Sequence, residues 1–294
     1  MTSVPVPSAG HCYRHPDRQS YILCQRCGKT VCPECSVQAA VGVHCVDCAR
    51  EASRSHPSNR RPAYVRAARS LTRSSGAPVV TYGIMAVTVF VFVLQLVPLL
   101  GITDALQFAG AYVQPDAGYA VGLEPWRMLT YALVHTPFSI SSPFTILHIL
   151  FNMYSLYIFG RILEPMIGRW RFLALYVLAA IGGAFAVDLL NDPGQAVIGA
   201  SGAIFGLMAA YFIIARRLGG NTSQLVVLVV LNLAIGFFVP GISWQAHVGG
   251  LLVGALVGVI YIETRKKQQQ WIQALLTAAV FAVIIVATVV RSLV

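Results

Sequence analysis

Apolar residues dominate the chain from Pro78 onward, in long uninterrupted runs rather than the alternating or one-faced patterns of water-soluble elements. Residues 78–103, 144–160, 193–215, 218–262 and 268–290 contain no Asp, Glu, Lys or Arg, and 172–187 is nearly long enough to span a bilayer alone. A spanning helix needs about 20 residues. The run 218–262 must therefore hold two, with Pro240-Gly241 supplying the turn between them. The pattern predicts seven transmembrane helices.

Before Pro78 the pattern inverts. Residues 1–77 are polar and hold 11 of the 21 Lys and Arg and all seven Cys. With 56% of all residues hydrophobic and 11% charged, the chain reads as an integral membrane protein with a polar N-terminal part, which excludes a purely soluble enzyme. The first stretch apolar enough to insert begins near Pro78, so no leader fits a signal peptide and we expect the N-terminus to be retained.

Positive charge fixes the expected orientation. Arg161, Arg169 and Arg171 follow the second predicted helix, Arg216 and Arg217 the fourth, and Arg265, Lys266 and Lys267 the sixth, whereas the alternate loops hold almost only Arg127. The positive-inside rule then puts the N-terminus in the cytoplasm and the C-terminus outside, and we expect a multi-pass protein of the bacterial cytoplasmic membrane. Residues 50–77 carry Arg50, Arg54, Arg60, Arg61, Arg66, Arg69 and Arg73 among Ser, Pro and Ala. That composition suits a basic linker lying against anionic lipid headgroups better than a nucleic-acid site, and no nucleic-acid partner is expected.

The N-terminal segment carries four pairs of metal-ligand residues, each with a two-residue spacing: Cys12 and His15, Cys24 and Cys27, Cys32 and Cys35, Cys45 and Cys48. Such a turn aims two side chains at one ion, and two pairs close a tetrahedral structural zinc site, so eight ligands predict two zinc ions. A disulfide framework fits poorly, since seven cysteines are an odd number and the segment is expected on the reducing side. His11 and His44, beside ligand positions, could substitute within a quartet. So short a segment cannot build a core, and metal binding is expected to supply its folding energy. Cys12-Tyr13-Arg14-His15-Pro16-Asp17 and the spacings after it resemble a B-box-type zinc finger over 11–49. The resemblance implies a cross-braced arrangement, with Cys12, His15, Cys32 and Cys35 on one ion and Cys24, Cys27, Cys45 and Cys48 on the other. A cytoplasmic protein partner is the expected use of this module, ahead of a metal or redox sensor or a structural cap.

Polar side chains inside apolar helices are costly and point to function unless they merely join helices. Ser201, in Gly199-Ala200-Ser201-Gly202, falls near the outer start of the fourth predicted helix, where free backbone N–H groups can stabilise an oxyanion. His247 falls near the outer start of the sixth, at the same level. Positions 247, 250, 254 and 258 share one face, and the last three are Gly, which permits close helix approach. If that face meets Gly202 and Gly206, His247 can serve as general base to Ser201. His148 and Asn152, one turn apart on the second helix, can both donate to an oxyanion or simply bind helices together. Intramembrane carboxylates near the midplane, which a transporter would need, are missing from the pattern.

His148-x-x-x-Asn152, Gly199-x-Ser201-Gly202 and Ala246-His247-x-x-Gly250, in this order, resemble the rhomboid intramembrane serine proteases over roughly 78–265. Trp126-Arg127 in the first loop looks like the family's loop motif. The resemblance implies an all-α polytopic membrane fold with a six-helix core, here extended by a seventh helix and preceded by the small zinc domain. The domains are then 1–49 zinc binding, 50–77 linker, 78–265 protease core and 266–294 the additional helix. It implies a Ser201–His247 dyad without a carboxylate, an oxyanion hole from His148, Asn152 and the Ser201 N–H, no catalytic cofactor, and transmembrane proteins as substrates. Trp126, Arg127, Glu164, Gly199, Gly202, Gly250 and Gly254 are expected to be structural, with Glu164 either pairing with Arg161 or bracing the first loop. Phe205 departs from well-known bacterial members, which carry Tyr there. The alternative is an inert rhomboid-like protein that binds membrane clients. Such proteins are expected to lack the Ser or the His.

Overall fold

The computed structural model describes residues 10–39, 41–55, 77–114, 118–137, 145–239 and 241–293. The basic side chains of 60–73 and the Ser- and Pro-rich stretch 138–144 lie outside these residues, as does Pro240. The chain divides into two compact units, Met1–Pro62 and Ala63–Val294.

The first unit has almost no secondary structure to hold it. Strands β1 (Ser36–Gln38) and β2 (Val43–Cys45) pair antiparallel with Ser36 opposite Cys45, and helix α1 (Val46–Ser55) follows. Its buried apolar cluster consists, among the described residues, of six cysteines and Val31. An interior made of sulfur rather than hydrocarbon needs another source of cohesion.

Among the described residues the second unit carries seven long apolar helices in chain order: α2 (Val79–Gln95), α3 (Ile146–Ile167), α4 (Arg169–Leu190), α5 (Ser201–Arg217), α6 (Ser223–Phe238), α7 (Trp244–Glu263) and α8 (Gln270–Ser292). By length and composition α3, α4, α7 and the segment Lys267–Ser292 can each cross a membrane, and Val79–Gln95 with Pro98–Leu106 forms an apolar pair bent by 105°, the shape of a broken span or a re-entrant loop. The chain is an integral multi-pass membrane protein.

Two apolar runs are not the single helices expected of them. In 78–103, Pro98 and Gly101, the latter at φ 58°, end α2 early. In 193–215 the first eight residues stay irregular, because Pro193-Gly194 and Gly199, at φ 117°, cannot continue a helix. As a result α5 has 17 residues, about 25 Å at 1.5 Å per residue, short of a hydrocarbon core of about 30 Å.

Helix α7 packs most extensively, against α5 on one side and α4 on the other. Glycine makes this possible: a Cβ on Gly250 would stand 1.9 Å from Gly202 O, one on Gly254 2.2 Å from Gly206 O, and one on Gly249 2.3 Å from Gly182 O. With no hydrophobic driving force between helices in lipid, this backbone contact is what holds them. Helix α6 is the contrast, with Gly236 its one buried residue.

Candidate active site and metal centres

The irregular segment before α5 is pinned before it delivers Ser201. Val197 and Phe108 exchange both backbone hydrogen bonds (Val197 N to Phe108 O 2.7 Å, Phe108 N to Val197 O 3.1 Å), and Gly199 N donates to Tyr131 O at 2.9 Å. Tyr131, itself fully buried, donates its hydroxyl to Ala180 O at 2.9 Å. The chain then turns at Gly199 and starts α5 on Ser201. The first bond into the helix runs from Ile204 N to Ala200 O (3.0 Å), so the Ser201 N–H stands ahead of the ladder, open to an acceptor.

His247 comes from the first turn of α7, whose start is capped by Ser243 Oγ accepting from Ala246 N at 3.2 Å. The imidazole is 5% exposed. Its Nε2 lies 2.8 Å from Ser201 Oγ, the geometry of a serine hydroxyl donating to an imidazole base. Phe205, one turn after Ser201, stacks on the same ring at 4.3 Å and 17°. Nδ1 has no partner among the described residues and faces Gly236 of α6, where a Cβ would come within 3.0 Å of it. Among the described residues no carboxylate orients this histidine. Packing does.

His148 sits on the opposite wall. Thr136 donates its backbone N–H to His148 Nδ1 (3.3 Å) and its Oγ1 lies 2.9 Å from the same nitrogen. An Nδ1 that accepts an amide must be unprotonated, so Nε2 carries the hydrogen. That Nε2 points at Gly199, where a Cβ would lie 2.8 Å away and would fill the space beside Ser201. Asn152, one turn further and buried, donates through Nδ2 to His148 O at 2.7 Å, which steadies the backbone carrying the imidazole. His135 is fully buried beside His148, with ring centroids 5.1 Å apart.

A family model described as the rhomboid domain matches residues 122–264. The putative rhomboid protease YdcA of Bacillus subtilis is 30% identical over 190 residues, which are 61% of this chain and 92% of that protein. The chain belongs to the rhomboid family. The rhomboid protease GluP of the same organism is 32% identical over 188 residues (61% of this chain, 34% of GluP), and RHOMBOID-like protein 5 of Arabidopsis thaliana 34% over 147 residues (47% and 45%). The chain thus spans less than half the length of these last two relatives.

The other rhomboid positions singled out in the sequence lie away from Ser201. Arg127 is buried in the first loop, donating to Asp104 O and to Gln107 O (3.1 Å), paired with Glu124 at 2.6 Å and lying over the Tyr112 ring at 4.0 Å. Trp126, next to it, is 57% exposed. Glu164 neither pairs with Arg161 nor braces the first loop. It is buried and accepts from Val80 N (2.9 Å), Thr81 N (2.8 Å) and Thr81 Oγ1 (2.7 Å), so its carboxylate caps the positive end of α2. Arg161 turns instead to Tyr157 Oη.

Several polar residues of this rhomboid unit, three of them around the Ser201 site, escape the sequence reading. Thr136, Tyr131 and His135 belong to a loop whose sequence gives no periodic signal. Asp188, at the end of α4, is fully buried, bonded to Gln114 Nε2 at 2.6 Å and 3.5 Å from Arg291 Nε of α8. The signal for Asp188 was present as an acidic residue closing an apolar run.

In the first unit two groups of ligand atoms gather, Cys12, His15, Cys32 and Cys35 in one and Cys24, Cys27, Cys45 and Cys48 in the other, the atoms of each within 4.8 Å of one another. His11 and His44 belong to neither. Burial raises the Cys12 thiol, but backbone N–H groups of Arg14, Cys32 and His15 outweigh it and bring it down to about 6. Cys24 is brought to about 6 in the same way by the amides of Cys45, Cys27 and Arg26. Burial and the neighbouring thiols push Cys35 up to about 11, and the Cys45 thiol and burial push Cys48 up to about 12, so a metal ion would have to displace the protons of these donors. The donor sets of both groups fit a metal ion.

Proposed function

We propose that this rhomboid is an intramembrane serine endopeptidase that hydrolyses peptide bonds of transmembrane proteins. The observation that carries the reading is the 2.8 Å contact between His247 Nε2 and Ser201 Oγ inside an apolar helix bundle. Ser201 Oγ attacks the scissile carbonyl while His247 takes its proton, and the carbonyl oxygen becomes an oxyanion facing the Ser201 N–H and the His148 Nε2–H, with Asn152 one turn away. Collapse of the tetrahedral adduct breaks the C–N bond, and His247 returns the proton to the leaving amine. Water then repeats the sequence on the acyl-enzyme with His247 as base, releasing the acid and restoring Ser201.

The location of bond cleavage follows from helix length. With Arg216 and Arg217 ending α5 at one interface, about 25 Å of helix puts Ser201 roughly 5 Å inside the other boundary. A substrate is then cut near the end of its spanning helix. The Arg-rich loops support a cytoplasmic N-terminus and cleavage near the outer face. A cleft of about 310 Å³ between Gln195–Ile198 and the α6–α7 turn, reaching Gly236 behind His247, offers the approach. Next to it the sparsely packed α6 is the easiest helix to displace.

For the N-terminal unit we propose two structural zinc sites in a B-box-like cross-brace that presents a protein-interaction surface in the cytoplasm. The sulfur-rich donor sets favour zinc over calcium or magnesium, which prefer oxygen.

The test is cleavage of a single-span substrate by the full chain reconstituted in liposomes, beside Ser201→Ala and His247→Ala. Cleavage within the span by the wild type and none by either variant is expected. Binding of the substrate without cleavage by a folded wild type would move the assignment to an inert client-binding protein.

A further inference from the structure

At the end of the bundle remote from Ser201, a groove of about 860 Å³ opens between the first turns of α4 and α8. Its floor is apolar, formed by Ala174, Val177, Leu178, Ala278 and Phe281, while Arg169, Trp170 and Arg171 stand at its mouth. No carboxylate lines it. Its two basic groups are therefore uncompensated from within, although nearby acids exist: Glu164 is spent on the α2 start and Glu263 pairs with Arg217 at 3.1 Å.

The two arginines differ in how they are held. Arg171 is half-buried and fixed: its Nε donates to Gln273 Oε1 and its Nη1 to Ile167 O at 3.2 Å. Gln273 is in turn buried and anchored by its own Nε2 on Thr264 Oγ1 at 2.9 Å. This chain of bonds holds the guanidinium at the groove's mouth, so little side-chain freedom is lost when an anion arrives. Arg169 is exposed and ion-paired to nothing among the described residues. Helix α4 begins here at Arg169 with no side-chain cap, so its N-terminus adds partial positive charge to the groove's mouth. Trp170, 73% exposed, has the position of an indole at a membrane interface.

A polar, positively charged mouth above an apolar channel between spanning helices matches one kind of ligand, an amphiphile with an anionic head and hydrocarbon tail. We propose that this groove is a binding site for one anionic phospholipid, its phosphate held by Arg169 and Arg171 and an acyl chain lying along Ala174, Val177, Ala278 and Phe281. Such a lipid would join α8 to α4 at this end, the other end being closed by Asp188 and Arg291. The site is independent of the Ser201–His247 chemistry.

Native mass spectrometry of the full chain, released from mild detergent after titration with phosphatidylglycerol or with phosphatidylcholine of the same acyl chains, reads the site directly. One phosphatidylglycerol should be retained per chain, with a preference on the order of tenfold over phosphatidylcholine, whose choline cation neutralises its phosphate and is repelled by the two guanidiniums. Arg169→Gln, at an exposed position that leaves the fold alone, should reduce that preference several-fold, and Arg169→Gln with Arg171→Gln should abolish it. Ala278→Phe, also exposed, should lower retention of both lipids by filling the channel. Equal retention of the two lipids by the wild type would overturn the proposal. So would a preference that survives in the double variant, or one lost only when Arg265, Lys266 and Lys267 are replaced together by Gln.

Discussion

Gly250→Ala tests the idea that glycine contact, and not a third catalytic residue, positions the dyad. The added Cβ would stand 1.9 Å from Gly202 O, and ordinary contact begins at 3.4 Å, a shortfall of 1.5 Å. The obstacle is backbone, so no side chain can swing away, and α5 and α7 must separate there. Gly250 is less than one turn from His247, and Gly202 adjoins Ser201. Most of that displacement reaches the dyad, carrying Nε2 and Oγ from 2.8 Å to about 4 Å, beyond a hydrogen bond. A misplacement of about 1 Å costs roughly a hundredfold in rate. Overpacking should cost about 1–3 kcal/mol of stability besides. The assay is the initial rate of substrate cleavage in liposomes with thermal unfolding in parallel, and Gly83→Ala, where a Cβ meets nothing within 4 Å, is the control for a helical Gly-to-Ala change. A Gly250→Ala protein with wild-type rate and stability would refute the reasoning, because the helices could then part without moving the dyad.

Phe205→Ala removes a ring stacked at 4.3 Å on His247 and should lower the cleavage rate about two- to tenfold, the equivalent of about 0.5–1.5 kcal/mol, while Phe205→Tyr should stay near wild type. Glu164→Gln weakens three bonds to the start of α2 and should lower stability by about 1.5–3 kcal/mol with the rate in folded protein largely kept; a chemical melt equal to wild type would contradict the capping role. Cys24→Ser should lower the metal content by half or more, measured by elemental analysis, and open the first unit to limited proteolysis, yet leave the membrane unit able to cleave; loss of cleavage with the helices intact would end the separation of the two units' roles.

Sequence alone drew attention to Ser201, His247 and His148 because a polar side chain within an apolar run must be explained, and the Gly250–Gly254–Gly258 spacing on the face of His247 pointed to the helices that touch. The eight ligands were legible for a similar reason, since sulfur and imidazole donors at regular spacing have few other uses, while their division into two quartets was what the B-box resemblance implied. What escaped is whatever depends on where loops fold back. Thr136 fixes the His148 tautomer across twelve residues, and nothing local in a Thr distinguishes it from any other loop hydroxyl. The partner of Glu164 was misjudged because a neighbour one turn away competes, in a sequence, with backbone amides 84 residues earlier. Hydropathy could not show that 193–200 stays irregular. An apolar loop and an apolar helix look alike until Gly199 is seen at positive φ.

The measurement closest to the central claim is reaction of the purified chain with a fluorophosphonate probe, beside Ser201→Ala and His247→Ala, with the adduct located by mass spectrometry. The account predicts a single adduct on Ser201 that fails to form when His247 is replaced. A folded wild-type protein that takes no label, or labels equally well without His247, would contradict it.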